Sequence, residues 1–342
     1  MTETHMAAEI GGAGEAIARQ LTANRETVAD LAAALRKRDP HFVVTIARGS
    51  SDHATLYLKH LVELRLGLVC ASLGPSVASL YRAPLRLADA LALTISQSGR
   101  SPDIVAMQAA ARAAGAFTVA LVNDETSPAA NEAQALLALK AGEERSVAAT
   151  KTMLAALVAG ASLIARWSED SALVRALEDL PGQLVANVAP PPEPIVDTLA
   201  AARSLFVIGR GATLATAAEA ALKLKETSAI HAEAFSSAEI LHGPAGVITP
   251  GFPVIAFVPA DAARAGVLET VERLASFGAA PLLIDVAPHP IWPTLVAPAA
   301  GHEALTPILA LHAFYRLAEA TARRRGRNPD APPHLAKVTR TV

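Results

Sequence analysis

The chain has 342 residues, a formal net charge of −2, 52% hydrophobic residues and 18% charged residues. The hydrophobic fraction is high enough for a large core, which argues against disorder, and the length corresponds to roughly two domains of about 150 residues. The small net charge and the 4% aromatic content argue against a nucleic-acid partner, because both a basic surface and base-stacking rings are lacking.

The single cysteine, Cys70, lies in an apolar run and is predicted to be a buried structural thiol. One cysteine forms neither a disulfide framework nor a cysteine metal site, and the sequence carries no HExxH motif. We therefore expect no metal and no cofactor. Residues 1–5 do not begin a signal peptide, and no apolar run reaches the about 18 residues of a membrane span. We expect a cytoplasmic protein without a membrane segment.

Short apolar runs alternate with longer alanine-rich helical patterns along the chain. In the first half, strands are predicted at 42–46, 68–72, 90–95 and 117–122, and helices at 52–66, 102–114 and 147–167. In the second half, strands are predicted at 205–208, 254–258 and 281–284, and helices at 215–230, 262–277 and 304–325. This alternation predicts the α/β class, with parallel sheets covered by helices on both faces.

A proline-rich stretch divides the pattern into two halves. The predicted organisation is an N-terminal helical segment (1–24), a first α/β domain (25–188), a proline-rich linker (189–195), a second α/β domain (196–328) and a C-terminal tail (329–342). Residues 46–50 and 208–212 are similar and each follow the first strand of a half. This match indicates an internal duplication.

A serine-rich loop joins the strand at 90–95 to the next helix. Ser96, Gln97, Ser98, Gly99 and Ser101 come together there, ahead of a proline suited to the first helical position. Free N–H groups at a helix start and neutral hydroxyl donors favour a bound anion such as a phosphate. A plain Ser/Gly turn with an ordinary helix cap explains the pattern equally well.

A second turn of this kind, residues 48–52, follows the first predicted strand. Ser51 could add a donor to the same ligand, because neighbouring loops meet in the crevice outside the strand ends. Taken alone, the turn is better explained as a helix cap.

Lysine, carboxylate and histidine side chains come close together between residues 222 and 244. Lys223 and Glu226 share a helix face, and Glu219 precedes Lys223 by one turn, so spacing alone favours a surface ion-pair ladder. His242 is predicted to end a short helix that begins with a Ser236/Glu239 capping box, and a helix-end histidine is often only a dipole partner.

The same residues also suit chemistry on a sugar. Aldose–ketose interconversion needs a group that opens the ring, a carboxylate that moves a proton between adjacent carbons, and optionally an amine for a Schiff base. His242 and Glu226 meet the first two needs, and a lysine meets the third. Lys337, in the tail, is a second candidate amine, although a solvated tail lysine is its default interpretation.

Taken together, the motifs resemble the double sugar-isomerase (SIS) domain family, and most closely the isomerase half of glucosamine-6-phosphate synthase. The matching motifs run in family order at residues 47–51, 95–99, 149–151, 209–211, 221–226, 230–234, 241–244 and 335–337. The resemblance implies two tandem flavodoxin-like SIS domains, with parallel sheets sandwiched by helices, that act on a sugar phosphate.

The resemblance also implies roles for individual residues. The implied phosphate ligands are Ser51, Ser96, Gln97, Ser98 and Ser101, and the implied sugar contacts are Gly49, Ser50, Val147, Ala149 and Ala336. The implied catalytic residues are Glu226 for proton transfer, His242 for ring opening, Lys337 for the Schiff base and Lys223 as an auxiliary acid/base. The family also implies a homodimer, in which the histidine segment reaches the neighbouring subunit's site.

The chain departs from the synthase in two respects. It lacks the length and the terminal cysteine of a glutamine-hydrolysing domain, so we expect no ammonia from glutamine, and Ala149 replaces a serine that would contact the sugar. We therefore predict a glucosamine-6-phosphate deaminase that forms fructose 6-phosphate and ammonia. A fructosamine-phosphate deglycase, a galactosamine-phosphate deaminase or isomerase, and a non-catalytic sugar-phosphate sensor remain alternatives.

Overall fold

The structure, a computed structural model, describes residues 3–337 and contains two parallel five-stranded sheets. The first sheet has the strand order β2-β1-β3-β4-β5, and its strands are β1 (Phe42–Ile46), β2 (Val69–Ser72), β3 (Ala90–Ser96), β4 (Phe117–Val122) and β5 (Ala135–Leu136). The second sheet has the order β7-β6-β8-β9-β10, and its strands are β6 (Ser204–Gly209), β7 (His231–Ser236), β8 (Pro253–Phe257), β9 (Ala280–Asp285) and β10 (Thr294–Val296). Both sheets therefore repeat one flavodoxin-like order, as expected of a duplicated α/β domain.

Helices precede, connect and follow the strands. Those up to the end of the first sheet are α1 (His5–Gly11), α2 (Ala13–Ala23), α3 (Arg25–Arg38), α4 (Ser50–Leu66), α5 (Ser76–Ser79), α6 (Pro102–Ala113) and α7 (Pro128–Glu132). Those that follow are α8 (Lys151–Trp167), α9 (Ser171–Ala186), α10 (Glu193–Ala201), α11 (Ala212–Ser228), α12 (Arg264–Ser276) and α13 (Thr306–Arg324). Short 3-10 helices lie at Glu239–His242, Pro244–Val247 and Glu303–Leu305.

The chain forms two compact units, and each contains one sheet. The first-sheet unit comprises residues 15–144, 151–178 and 336–337 of the described chain, and the second-sheet unit comprises residues 3–14, 145–150 and 179–335. In the first-sheet unit, α8 is buried on nearly all sides, which is consistent with its uniformly apolar sequence. Cys70 is buried in β2, as predicted.

The observed elements correct several predictions. The helix predicted at 147–167 begins only at Lys151, and the helix predicted to run to residue 230 ends at Ser228. A strand then occupies His231–Ser236, because β7 pairs in parallel with the edge of β6. Ser236 therefore ends a strand, and the predicted Ser236/Glu239 capping box is wrong.

The chain ends are partly outside the described residues. The first two residues of the predicted N-terminal segment and residues 338–342 of the predicted tail lie there. Within the described part, Asp330 accepts the backbone N–H groups of His5 and Met6 at 2.9 and 2.8 Å, so the start of α1 is held by the tail.

Candidate active site

The strand order of the first sheet places its ligand crevice between β1 and β3. Ligands of such sheets bind outside the carboxyl ends of the strands, where the order reverses. The turn after β1 and the loop after β3 both end at this point. Gly49 in the first turn has φ +58°, a left-handed conformation that glycine adopts freely. Ser50 and Ser51 follow as the first residues of α4 and are partly exposed.

The serine loop after β3 is shaped by its own hydroxyl groups. Ser96 Oγ accepts the N–H of Gly99 at 3.0 Å, and Ser98 Oγ accepts the N–H of Arg100 at 3.3 Å. Each hydroxyl keeps its own O–H and can still donate to a ligand. Ser101 lies at the N-cap position of α6, but its side chain does not cap the helix. The loop is thus ordered and retains hydroxyl donors that suit an anion.

Gly99 is required at its place in this loop. Its φ is +61°, and a Cβ there would lie 2.1 Å from Ser127 Oγ. We expect Gly99→Ala to destabilise the protein by about 1–2 kcal/mol from the left-handed backbone alone, with a further cost from the clash, and to weaken sugar-phosphate binding. Calorimetric titration and thermal unfolding of the variant measure both effects.

Gly182→Ala is the matched control for that substitution. Gly182 lies on an exposed position of α9, and a Cβ there meets nothing within 4 Å. Because alanine is the better helix former by about 1 kcal/mol, this variant should be at least as stable as the wild type. Equal sugar-phosphate affinity in the Gly99→Ala variant and the wild type would contradict the assigned role of the loop.

Two arginines flank the serine loop, and neither was recognised in the sequence. Arg48, in the turn after β1, donates through Nε and Nη2 to the fully buried Asp103 at 3.1 and 2.9 Å. Arg100, within the loop, donates to Asp124 at 3.0 and 2.6 Å. Both arginine side chains are about half exposed. The first pair connects the two turns, and the second connects the serine loop to the segment after β4.

The second sheet carries a counterpart of the first turn without its donors. Gly211 has φ +59° and ψ −132°, nearly the values of Gly49, so the backbone turn is duplicated. Thr213 stands where Ser51 stands in the first half, but it is buried and its hydroxyl donates to the carbonyl of Arg210 at 2.8 Å. This turn therefore uses the Thr213 hydroxyl for its own structure.

A buried ion-pair cluster lies on α11 in the second-sheet unit. Lys223 is 0% exposed, its Nζ is 3.5 Å from Glu219 Oε1, and it also donates to Glu226 Oε2. Glu219 is buried as well and accepts a hydrogen bond from Tyr315 on α13 at 3.1 Å. The surface ion-pair ladder suggested by spacing is therefore wrong, because α13 packs over this part of α11.

The cluster leaves one carboxylate partly open to solvent. The Glu226 side chain is 21% exposed, whereas Lys223 and Glu219 are fully enclosed. The buried Lys223 orients the Glu226 carboxylate by donating a hydrogen bond to its Oε2 atom. A carboxylate that is held in this way and accessible from outside can exchange a proton with a bound molecule.

His242 is placed differently from the lysine and the glutamate. It ends the 3-10 helix Glu239–His242 and is exposed. None of the hydrogen bonds or ion pairs described for residues 3–337 joins it to Glu226. The fold thus brings Lys223 and Glu226 together and presents His242 at the surface of the second-sheet unit.

Lys337 lies in the first-sheet unit and is not simply solvated. Its Nζ is 2.9 Å from Oε2 of Glu144, whose side chain is 0% exposed. Glu144 also accepts the N–H and hydroxyl of Thr152 at 3.0 and 2.6 Å. Burial by itself raises the pKa of Glu144, but the Lys337 ammonium and the Thr152 donors outweigh it and lower the pKa. Glu144 was not recognised in the sequence.

This pair should make stability depend on pH. Because the folded-state pKa of Glu144 is lowered, its contribution is fully present above the unfolded value of about 4.3 and is lost as the pH falls through the folded value. We expect Glu144→Gln to destabilise the protein by about 1–3 kcal/mol at pH 7. The difference from the wild type should shrink below about pH 4 in thermal unfolding scans. Glu132→Gln, an exposed change on α7, is the control, and a pH-independent difference would contradict the assignment.

The segment implied to contact the sugar is anchored in the second-sheet unit. Glu9 on α1 accepts the N–H groups of Arg145 and Ser146 and the Ser146 hydroxyl. The N–H of Val147 donates to the carbonyl of Asp330 at 3.1 Å. These bonds fix the backbone that carries Val147 and Ala149, both partly exposed, while Ala336 in the first-sheet unit is exposed.

Among residues 3–337, no group of three or more His, Cys, Asp or Glu side chains is arranged to hold a metal ion. None of the helices in this range combines the length and apolar character that crossing a membrane requires.

The chain is similar to proteins of one family. A model of the SIS domain matches residues 38–166 and 198–294. The glutamine–fructose-6-phosphate aminotransferase [isomerizing] of Bradyrhizobium diazoefficiens is 32% identical over 316 residues, which cover 85% of this chain and 50% of that protein. The chain spans about half the length of the curated relatives it matches.

Solved structures match nearly the full length of the chain. A candidate phosphosugar isomerase from Silicibacter pomeroyi DSS-3 is 46% identical, with a TM-score of 0.91 and coverage of 96% of this chain and 100% of that chain. Glucosamine-6-phosphate deaminase from Thermotoga maritima shares the fold at 18% identity, with a TM-score of 0.79 and coverage of 99% and 100%. With two matched domains and two sheets of one topology, the chain belongs to the SIS domain family.

Proposed function

We propose that the chain is a phosphosugar isomerase that acts on an amino-sugar phosphate and converts glucosamine 6-phosphate and water to fructose 6-phosphate and ammonia. The observation that carries the proposal is the Glu226 carboxylate, partly exposed and held by the buried Lys223. The likeness to a candidate phosphosugar isomerase over that protein's full length supports the same class.

The proposal assigns the phosphate to the loop after β3. Ser96, Gln97, Ser98 and Ser101 would surround the phosphate with neutral donors, and Ser51 would add one from α4. The ion pairs of Arg48 with Asp103 and of Arg100 with Asp124 would hold the backbone on either side of these donors. Gly49, Ser50, Val147, Ala149 and Ala336 are the proposed sugar contacts.

The proposed chemistry proceeds in three steps. His242 transfers the proton that opens the pyranose ring and exposes the C1 aldehyde. Glu226 then removes the proton from C2 and delivers it to C1 through an enolamine, with Lys223 orienting its carboxylate. The Lys337 amine then adds to the resulting C2 imine and expels ammonia, which leaves a Schiff base at C2, and water hydrolyses this Schiff base to release fructose 6-phosphate and the free lysine.

Lys337 is the proposed Schiff-base amine of the site. An amine must lose its proton before it attacks a carbonyl, and the Glu144 carboxylate lies 2.9 Å from its Nζ. Glu144 therefore holds the lysine in place and stands where a proton acceptor is needed. Alanine at position 149 leaves more room and one fewer hydroxyl beside the sugar than a serine would.

We further propose a homodimer with the active site near the subunit interface. The exposed position of His242 at the end of its 3-10 helix suits a segment that serves a neighbouring subunit. Glu226→Gln and His242→Ala subunits are each expected to be inactive alone, but mixing them should restore part of the activity. In a mixed dimer, one of the two sites combines the intact Glu226 of one subunit with the intact His242 of the other. A mixture that stays inactive after subunit exchange, or a monomeric mass in solution, would refute this arrangement.

The function is tested by product formation from a panel of sugar phosphates. We expect ammonia and fructose 6-phosphate in equal amounts from glucosamine 6-phosphate, with no turnover of the unphosphorylated sugar. Turnover of galactosamine 6-phosphate instead would indicate a galactosamine-phosphate deaminase or isomerase, and turnover of a fructosamine phosphate would indicate a deglycase. Thermal stabilisation by these ligands without turnover of any would show a sugar-phosphate sensor and overturn the enzymatic proposal.

A further inference from the structure

A cavity of about 250 Å³ lies in the second-sheet unit and shares no lining residue with the cluster on α11. Its walls come from α1, the proline-rich stretch before α10, the first turn of α10, and α13. The apolar part of the wall is formed by Ala7, Ile10, Val188, Pro190, Pro191, Val196 and Ala320. The site proposed for sugar phosphate uses none of these residues.

Four charged side chains also line the cavity, and three of them are paired. Glu319 accepts the hydroxyl of Thr4 at 2.9 Å and lies 3.7 Å from Arg323. Glu193 is paired with Arg324 on the neighbouring turn of α13. These pairs balance the charge of both lining carboxylates.

Arg316 is the fourth charged residue, and none of the ion pairs found among residues 3–337 includes it. Within the described residues, its Nε–H is buried without a hydrogen-bond acceptor. Burial alone accounts for its lowered pKa, and no carboxylate contributes. His312 lies one helical turn before Arg316. Burial lowers the pKa of His312 to about 4, and the positive charge of Arg316 contributes to this shift. A buried N–H donor without an acceptor is costly in a folded protein.

We propose that this cavity binds a small organic carboxylate, with Arg316 as its ion-pair partner and the apolar wall around its hydrocarbon body. The planar guanidinium offers paired N–H donors that match the two oxygens of a carboxylate. The single uncompensated positive charge fits a monoanion better than a phosphate dianion. Binding would supply the missing counter-charge and fill the apolar space at the same time.

Titration calorimetry with butyrate, benzoate and inorganic phosphate tests the proposal on the full chain. We expect saturable binding of butyrate or benzoate and weaker binding of phosphate. Arg316→Gln should lower the carboxylate affinity by about tenfold or more, as loss of a charged hydrogen-bond partner does. Arg273→Gln, an exposed arginine that lies over the Phe277 ring, is the matched control and should bind as the wild type does.

A second variant separates loss of the site from loss of the fold. Ala320→Leu keeps Arg316 but fills part of the cavity, so it should abolish carboxylate binding while the melting temperature without ligand stays near that of the wild type. Arg316→Gln should not be less stable than the wild type without ligand, because it removes an uncompensated charge. No wild-type binding of either carboxylate at millimolar concentrations, unchanged binding by Arg316→Gln, or stronger binding of phosphate would each overturn the proposal.

Discussion

Replacing Glu226 by glutamine should lower the turnover of glucosamine 6-phosphate by about 10²–10⁴-fold, the range found when a general acid/base is lost. The amide keeps the size of the side chain and can still accept a hydrogen bond from Lys223, but it does not carry a proton between C2 and C1. Sugar-phosphate binding should persist, since the proposed phosphate ligands belong to the other sheet. Steady-state kinetics and titration calorimetry on the same preparation separate the two effects.

Glu233→Gln is the matched control for this substitution. Glu233 lies on β7, seven positions after Glu226 in the chain, and is exposed. The change removes the same charge from the same sheet unit, so turnover should remain close to that of the wild type. Wild-type rates in the Glu226→Gln variant, or an equal loss in the Glu233→Gln variant, would exclude Glu226 as the proton carrier.

Replacing Lys223 by methionine should produce the largest loss of stability, about 3–5 kcal/mol, because it leaves buried negative charge without its partner. Glu219 is fully enclosed, and its hydrogen bond from Tyr315 does not supply a compensating charge. Denaturant unfolding measures the free energy of unfolding directly. Lys225→Met, on an exposed position of the same helix, should change it by no more than about 0.5 kcal/mol.

A double variant distinguishes charge from packing in this cluster. If the uncompensated Glu219 carboxylate causes the loss, Lys223→Met combined with Glu219→Gln should recover a large part of it. Additive losses in the double variant would show that the lysine contributes mainly through its packed hydrocarbon chain. Activity should remain low in either case, since Glu226 loses the group that orients it.

Much of the fold could be predicted from local patterns. Uniformly apolar runs such as β1 and β3 indicated strands covered on both faces, and the repeated turn around Gly49 and Gly211 indicated the duplication. β7 could not be predicted in this way. Its residues, His231–Ser236, lie at a sheet edge and are exposed or partly exposed apart from Ala232, so they lack the apolar run of a central strand.

The candidate site was predictable where its residues are close in the chain. The serine loop was found because its donors are adjacent and precede a helix start, a pattern with a direct physical meaning. The arginines beside it were missed, since Arg48 and its partner Asp103 are 55 positions apart. The roles assigned to His242 and Lys337 remain predictions.

The sequence alone determined the fold class, the duplication and the residue types available for chemistry, because these depend on periodicity and on neighbours within a few positions. Only the tertiary structure decided which charges are buried. The spacing of Lys223 fits a surface residue, but α13 covers it, and Tyr315 on α13 bonds Glu219, 96 positions away in the chain. The position of Lys337 fits a solvated tail lysine, but it pairs with the buried Glu144, 193 positions away. Burial and charge pairing arise from such long-range contacts, and local sequence patterns do not report them.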